Sequence, residues 1–278
     1  FSGLVPSSEG VLTPNYVRRF NVLSAAGKSD RYSTKVTDDL IQVANSQLDG
    51  VYDRERIDFI IRRFDDKLRH FGIDPQDVTG PRREELERLV IDGDKRNSQQ
   101  FIDPIATFGE RIEVYVDAAI LNELGRPNGV EAKVVLPGEI GWYTDNNFGG
   151  ARTLQRSYEV MKREFGKLIQ ENPQNVLFLI PGFQGINEDG LITASPRGGS
   201  DLTGVDLAYI LSLIYRSVVY EKWTDTDGIM AASPKIIDDP RVISEMTPRE
   251  ARESAYLVEM VHHDTFHVVT RGDITMVV

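Results

Sequence analysis

The chain has 278 residues, with 32 Lys+Arg against 43 Asp+Glu, a formal net charge of −11 at pH 7 and a pI near 4.9. That surplus of negative charge repels a phosphate backbone and argues against nucleic acid as a partner, while the absence of cysteine excludes disulfides, thiolate metal sites and cysteine nucleophiles. With 40% hydrophobic and 27% charged residues, the composition is that of an ordinary globular protein, able to bury a sizeable core in one large α/β domain or two smaller ones.

The sequence opens Phe1-Ser2-Gly3-Leu4 without a basic stretch leading into an apolar run. No apolar run approaches the roughly 20 residues that cross a bilayer, so a soluble, cytoplasmic protein without a signal peptide or membrane partner is expected. Residues 19–24 (RFNVLS) read as a short strand that breaks at Ala25-Ala26-Gly27. Thr34 is placed to cap a helix from about Lys35, with Val36, Leu40, Val43, Ala44 and Leu48 on one face. A second helix is predicted over 54–70, where Ile57, Ile60, Ile61, Phe64 and Leu68 share a side between Asp53 and Gly72. Pro81 then marks the first turn of a charged helix over 82–90. The whole charged stretch, about 53–97, reads as a helical insertion within one domain.

A long helix is expected over 105–124, and Gly109 inside it predicts a close backbone approach, since glycine there costs about 1 kcal/mol against alanine. Residues 130–136 read as a strand and 152–169 as a helix. The run 176–180 (VLFLI) has the apolar continuity of a strand buried on both faces. Glu188-Asp189-Gly190 forms a hairpin tip between Ile186 and Ile192. Gly198-Gly199 opens a helix to about Leu213, and a strand follows over 218–223. The end, 267–278, alternates apolar residues in the manner of a final strand. Strands alternating with helices give the expected fold class: an α/β, three-layer αβα sandwich with a mostly parallel central sheet.

Two segments concentrate chemistry. In Arg197-Gly198-Gly199-Ser200-Asp201, the glycines admit a ligand to free amides at a helix start, which favour an anion; Arg197 is suited to a carboxylate and Asp201 to a cationic partner. The alternative is an ordinary glycine turn with Ser200 and Asp201 serving the helix end. Thr224-Asp225-Thr226-Asp227-Gly228 follows a strand, at the sheet edge where open α/β folds bind ligands. Its aspartates are of a type that holds Mg²⁺, although an Asp-rich turn has the same composition. The histidines His70, His262, His263 and His267 show no metal spacing, and neither a Walker A loop nor a GxSxG elbow is present.

Taken in order, these segments resemble the catalytic domain of aspartate kinases in the amino-acid kinase family. The resemblance is carried by Ser24-Ala25-Ala26-Gly27-Lys28, Thr34-Lys35-Val36-Thr37-Asp38, Phe108-Gly109-Glu110 and Pro181-Gly182-Phe183-Gln184-Gly185. It continues through Arg197 to Asp201 with Leu202-Thr203-Gly204, Thr224 to Gly228 with Ser233-Pro234, and Glu253 to Tyr256 leading to His263-Asp264, the ending of one branch. The resemblance implies transfer of the ATP γ-phosphoryl group to the side-chain carboxylate of L-aspartate, with ATP and Mg²⁺ as cofactors and a homodimer as the assembly. It implies catalytic roles for Arg197 and Asp201, and substrate binding by Ser24, Thr37, Glu110, Phe183, Arg197 and Ser200. Glu110 would receive the ammonium and Arg197 a carboxylate. Gly3, Gly198, Gly199, Thr224, Asp225 and Lys235 fall at nucleotide-binding positions, and no residue is assigned to a metal. A carboxylate nucleophile is ionised at neutral pH, so no general base is required.

The sequence also departs from the family pattern. Members begin Lys-Phe-Gly-Gly, whereas this sequence starts Phe1-Ser2-Gly3; Pro196 precedes Arg197, Glu113 replaces a small polar residue, Met260 a nucleotide-contacting lysine and Met230 an aromatic. These departures bear on activity more than on fold. They keep two alternatives open: a kinase for another amino-acid carboxylate, and a catalytically weak nucleotide- or amino-acid-binding homologue with a regulatory role. Residues 1–264 are expected to form the catalytic domain, with 265–278 a tail too short for a complete ACT regulatory module.

Overall fold

The computed structural model describes residues 3–4, 34–172, 175–196, 198–223, 228–232, 237–238, 240–255, 265–272 and 274–278. A short strand β1 (Gly3–Leu4) is followed by helices α1 (Val36–Leu48), α2 (Arg54–His70), α3 (Gln76–Asp92), α4 (Ser98–Ala106) and α5 (Phe108–Gly125). Then come β2 (Glu131–Val134), α6 (Gln155–Glu171), β3 (Val176–Leu179), the hairpin β4 (Gln184–Ile186) and β5 (Ile192–Ala194), and α7 (Gly199–Ser212). The chain closes with β6 (Val219–Glu221), α8 (Pro248–Ala255), α9 (Thr265–Gly272) and β7 (Thr275–Val277). The expected strand at 19–24 lies outside the described residues.

Strand β3 is the centre of the layering. It pairs in parallel with β2, the crossover being α6, and antiparallel with β1, Gly3 lying opposite Leu179. A pleated strand sends alternate side chains to opposite faces. Leu177 and Leu179 accordingly join a core built from α1 to α5, while Val176 and Phe178 join a second core built from α6, α7, β6 and α9. Helices thus cover both faces of the sheet, in the expected three layers. The last strand, β7, pairs in parallel with β6.

Helix α2 has the predicted bounds, with Asp53 accepting from the Arg56 amide at 3.0 Å as its cap. Gly109 sits where predicted for a close approach: a Cβ there would fall 2.9 Å from Val36 Cγ1 of α1. Four expectations are corrected. Thr34 does not cap α1, which starts after Lys35; its hydroxyl donates instead to the buried Asp39 carboxylate at 2.6 Å, which also takes Arg56 at 2.9 Å. Pro81 lies inside α3, which begins at Gln76; Thr79 donates to Asp65 at 2.6 Å, and burial of Leu86 and Val90 offsets the one ladder bond that the proline removes. The helix predicted over 105–124 is two helices meeting at Thr107, whose hydroxyl bonds back to the Asp103 carbonyl at 2.9 Å. Residues 265–272 are helical, and only 275–277 of the closing segment form a strand.

Candidate functional site

The start of α7 is held by its neighbours in an unusual backbone arrangement. Gly198 has φ 79°, a left-handed conformation that glycine adopts without strain, and a Cβ on Gly199 would fall 2.6 Å from Ser195 Cβ and 3.0 Å from the Phe183 ring. Phe183, with φ 63°, is the one non-glycine among the described residues in that region. Such a conformation costs on the order of 1–2 kcal/mol and needs support from its surroundings. Here the Phe183 amide donates to Thr203 Oγ1 at 3.2 Å, and the Phe183 carbonyl accepts from the Ser195 amide at 2.9 Å. Thr203, one turn into α7, in turn donates to the Gly199 carbonyl at 3.0 Å. The turn after β3 and the beginning of α7 are therefore one unit, in which the Gly199 and Ser200 amides come before the first bond of the helix, from the Asp201 amide to the Gly198 carbonyl at 3.0 Å.

Helix α5 also begins at this unit. Its first-turn carboxylate, Glu110, accepts from Ser200 Oγ at 3.1 Å, across 90 positions of sequence. Surrounding protein desolvates Glu110 and pushes its carboxyl above the usual range, an effect that the Ser200 hydroxyl partly opposes. A desolvated carboxylate beside a hydroxyl is suited to an ammonium ligand, whose charge would replace lost hydration. One turn further along α5, the side chain of Lys67 from α2 bonds to both Glu113 and the buried Asp117, the latter at 2.7 Å. Burial and the neighbouring Glu113 push Asp117 up to about 7.

Asp201, in the first turn of α7, accepts from Lys222 Nζ at 2.5 Å. Lys222 immediately follows β6, and its side chain is only 15% exposed. No local motif marks this lysine. Its signal is alternation along the strand, because Tyr220 and Lys222 share one face and both reach α7, Tyr220 at Gly204 and Lys222 at Asp201.

The structure thus brings together Glu110, Phe183, Gly198, Gly199, Ser200 and Asp201 around the start of α7. Thr37 is half-buried in the first turn of α1, next to the Val36 that packs on Gly109. Gly3 sits at the end of β3 that feeds the Phe183 turn. Ser24, Arg197, Thr224, Asp225 and Lys235 lie outside the described residues, as do His262, His263 and Met260. Among the described residues, no group of three or more His, Asp or Glu is arranged to hold a metal ion, and no helix is long and apolar enough to cross a membrane.

Comparisons with known proteins bear on this arrangement. The family model "Amino acid kinase family" matches residues 22–278. Aspartokinase 3 of Bacillus subtilis (strain 168) is 32% identical over 254 residues, covering 91% of this chain and 52% of the relative. Among solved structures, E. coli aspartokinase III in complex with aspartate and ADP (R-state) is similar with a TM-score of 0.70 at 22% identity, over 88% of this chain and 53% of that one. Clostridium acetobutylicum aspartate kinase is similar with a TM-score of 0.67 at 21% identity, over 97% of this chain and 58% of that one. The chain spans about half the length of these relatives, and the structural likeness extends to the α/β fold as a whole.

Proposed function

This chain belongs to the amino acid kinase family, and from that membership we propose that it is the catalytic portion of an aspartate kinase. It would transfer the γ-phosphoryl group of ATP to the side-chain carboxylate of L-aspartate, the first step toward lysine, threonine and methionine. The observation that carries this reading is the 3.1 Å bond from Ser200 to Glu110, which joins the Phe108-Gly109-Glu110 start of α5 to the glycine-rich start of α7. A carboxylate suited to an ammonium and a helix start suited to an anion then lie side by side, as an amino acid and a polyphosphate require. The relative and the solved neighbours are named aspartokinases or aspartate kinase, and one neighbour was solved with aspartate and ADP, which supports the same substrates here.

In this reading Glu110 takes the substrate ammonium and Arg197 a substrate carboxylate, with Ser24, Thr37, Phe183 and Ser200 lining the pocket. Gly3, Gly198, Gly199, Thr224, Asp225 and Lys235 serve the nucleotide. Asp201 orders the charges between the two substrates. The acceptor carboxylate is already ionised, so this chain's residues act by positioning and charge neutralisation, which supply most of the catalysis in phosphoryl transfer. Mg²⁺ would enter on ATP, held mainly by its phosphates, and offset their charge. Residues 1–264 are read as the catalytic domain, with a helical insertion at about 53–97, and 265–278 as its tail. The protein is read as a cytoplasmic homodimer.

The test is to mix full-length protein with Mg-ATP and a panel of amino acids, following ADP release and trapping the acyl phosphate as a hydroxamate. Aspartate-dependent turnover that is abolished by Arg197→Ala and by Glu110→Ala is the expected result. Turnover with a different acceptor would move the assignment, and nucleotide binding without turnover would make the protein a binding homologue.

A further inference from the structure

Lys222 has no assigned role, yet it reaches a residue at the centre of the site. It projects from the end of β6 on the face that carries Tyr220, and its ammonium bonds to Asp201 at 2.5 Å with both side chains largely enclosed, 15% and 21% exposed. Asp201 lies in the first turn of α7 and donates its own amide to the Gly198 carbonyl at 3.0 Å, so its carboxylate is carried by the same turn as Gly198 and Gly199. A negative charge at that place opposes a polyphosphate, and in an enclosed site salt screens it weakly.

We propose that Lys222 is a positioning residue that sets the charge of the nucleotide site: by neutralising Asp201 it leaves the start of α7 electrostatically positive toward phosphate. This rests on the reading of the site as an ATP-binding one. Lys222 acts through Asp201, and the phosphate itself is met by the helix amides. The pairing belongs to this tertiary arrangement, since one turn of helix from Asp201 to Gly204 is matched by two strand residues from Lys222 to Tyr220.

The test measures equilibrium binding of ATP and of adenosine, which lacks phosphate, to full-length wild type, Lys222→Met, Lys222→Arg and the double variant Lys222→Met/Asp201→Asn. Expected are a loss of about tenfold or more in ATP affinity for Lys222→Met with adenosine unchanged, retention in Lys222→Arg, and recovery in the double variant, where neither charge remains. Equal losses for ATP and adenosine would make the lysine merely structural, and failure of the double variant to recover would mean that the ammonium contacts phosphate directly; either result overturns the proposal. Should Lys222→Met fail to fold, the comparison of wild type with Lys222→Gln and the double variant carries the same decision. A wild type that shows this charge dependence but does not phosphorylate aspartate would sink the aspartate kinase reading alone. Normal aspartate turnover with unchanged ATP binding in Lys222→Met would sink this inference alone.

Discussion

Replacing Lys67 by methionine should destabilise the protein in a way that depends strongly on pH. The ammonium of Lys67 is shared by Glu113 and by Asp117, whose side chains are 36% and 2% exposed. Two carboxylates therefore face one cation, and burial together with Glu113 raises Asp117 from 3.8 to about 7. A carboxyl raised in the folded state binds a proton that the unfolded chain has already released. Its contribution is therefore fully present below about pH 4 and lost as pH rises through about 7. Without Lys67 the attraction that opposes this rise disappears, so Asp117 would titrate higher still. At pH 8.5 the variant must either leave that carboxylate uncompensated or hold a proton against the solution pH, which costs about 2 kcal/mol at Asp117 and about 3 kcal/mol with the lost hydrogen bonds, a fall in Tm of roughly 10 °C. At pH 5 a protonated Asp117 needs no cation, and the loss should shrink to about 1 kcal/mol. Urea unfolding of wild type and Lys67→Met at both pH values measures the difference. Equal losses at the two pH values, or a loss under about 1 kcal/mol at pH 8.5, would refute the reasoning.

Gly199→Ala should place a methyl group 2.6 Å from Ser195 Cβ and force α7 away from the Phe183 turn. We expect a cost of about 1–3 kcal/mol in stability and a drop of about 100-fold in aspartate-dependent turnover; activity within twofold of wild type would show that the close approach is dispensable. Glu110→Gln should raise KM for the acceptor by about tenfold or more and leave KM for ATP nearly unchanged. Because the Glu110 carboxyl is pushed up by burial, wild-type acceptor binding should also weaken on acidification sooner than an ordinary glutamate would cause; a KM flat with pH would contradict this. Asp206 accepts from Tyr158 at 2.7 Å and Thr153 at 3.1 Å, and burial raises it from 3.8 to about 6. The contribution of Asp206 to stability should accordingly fall by about 2 kcal/mol as pH rises from 4 to 6. Asp206→Asn should flatten that slope, as followed by denaturant midpoints across the range.

Local order was legible wherever a segment's pattern was also its environment. Helix α2 carries an unbroken apolar face with Asp53 and Gly72 at its ends, and β3 is apolar throughout because both of its faces are covered. The misreadings arose where a distant partner recruited a local signal. Thr34 has the chemistry of a cap but is taken by Asp39, itself fixed by Arg56 from the next helix. Pro81 has the chemistry of a helix start but is overridden by burial along α3. In the site, the glycine-rich segment marks the start of α7 by composition alone. The Lys222–Asp201 pair and the Lys67 cluster depend on strand facing and helix packing, which no local window contains. Glu113 stood out as a departure from the family pattern, and its counterpart Lys67 could be identified only with α2 laid against α5.

The alternation of β3 between two cores also bears on how the molecule comes apart. A seam between layers would let one melt while the other persisted, but here Val176 and Phe178 are anchored on one side and Leu177 and Leu179 on the other. Each layer's melting would thus strip half the anchorage from the same four residues, and the chain runs directly from them into the Phe183 turn. The described body should unfold in one cooperative transition, with substrate-site order and global order lost together.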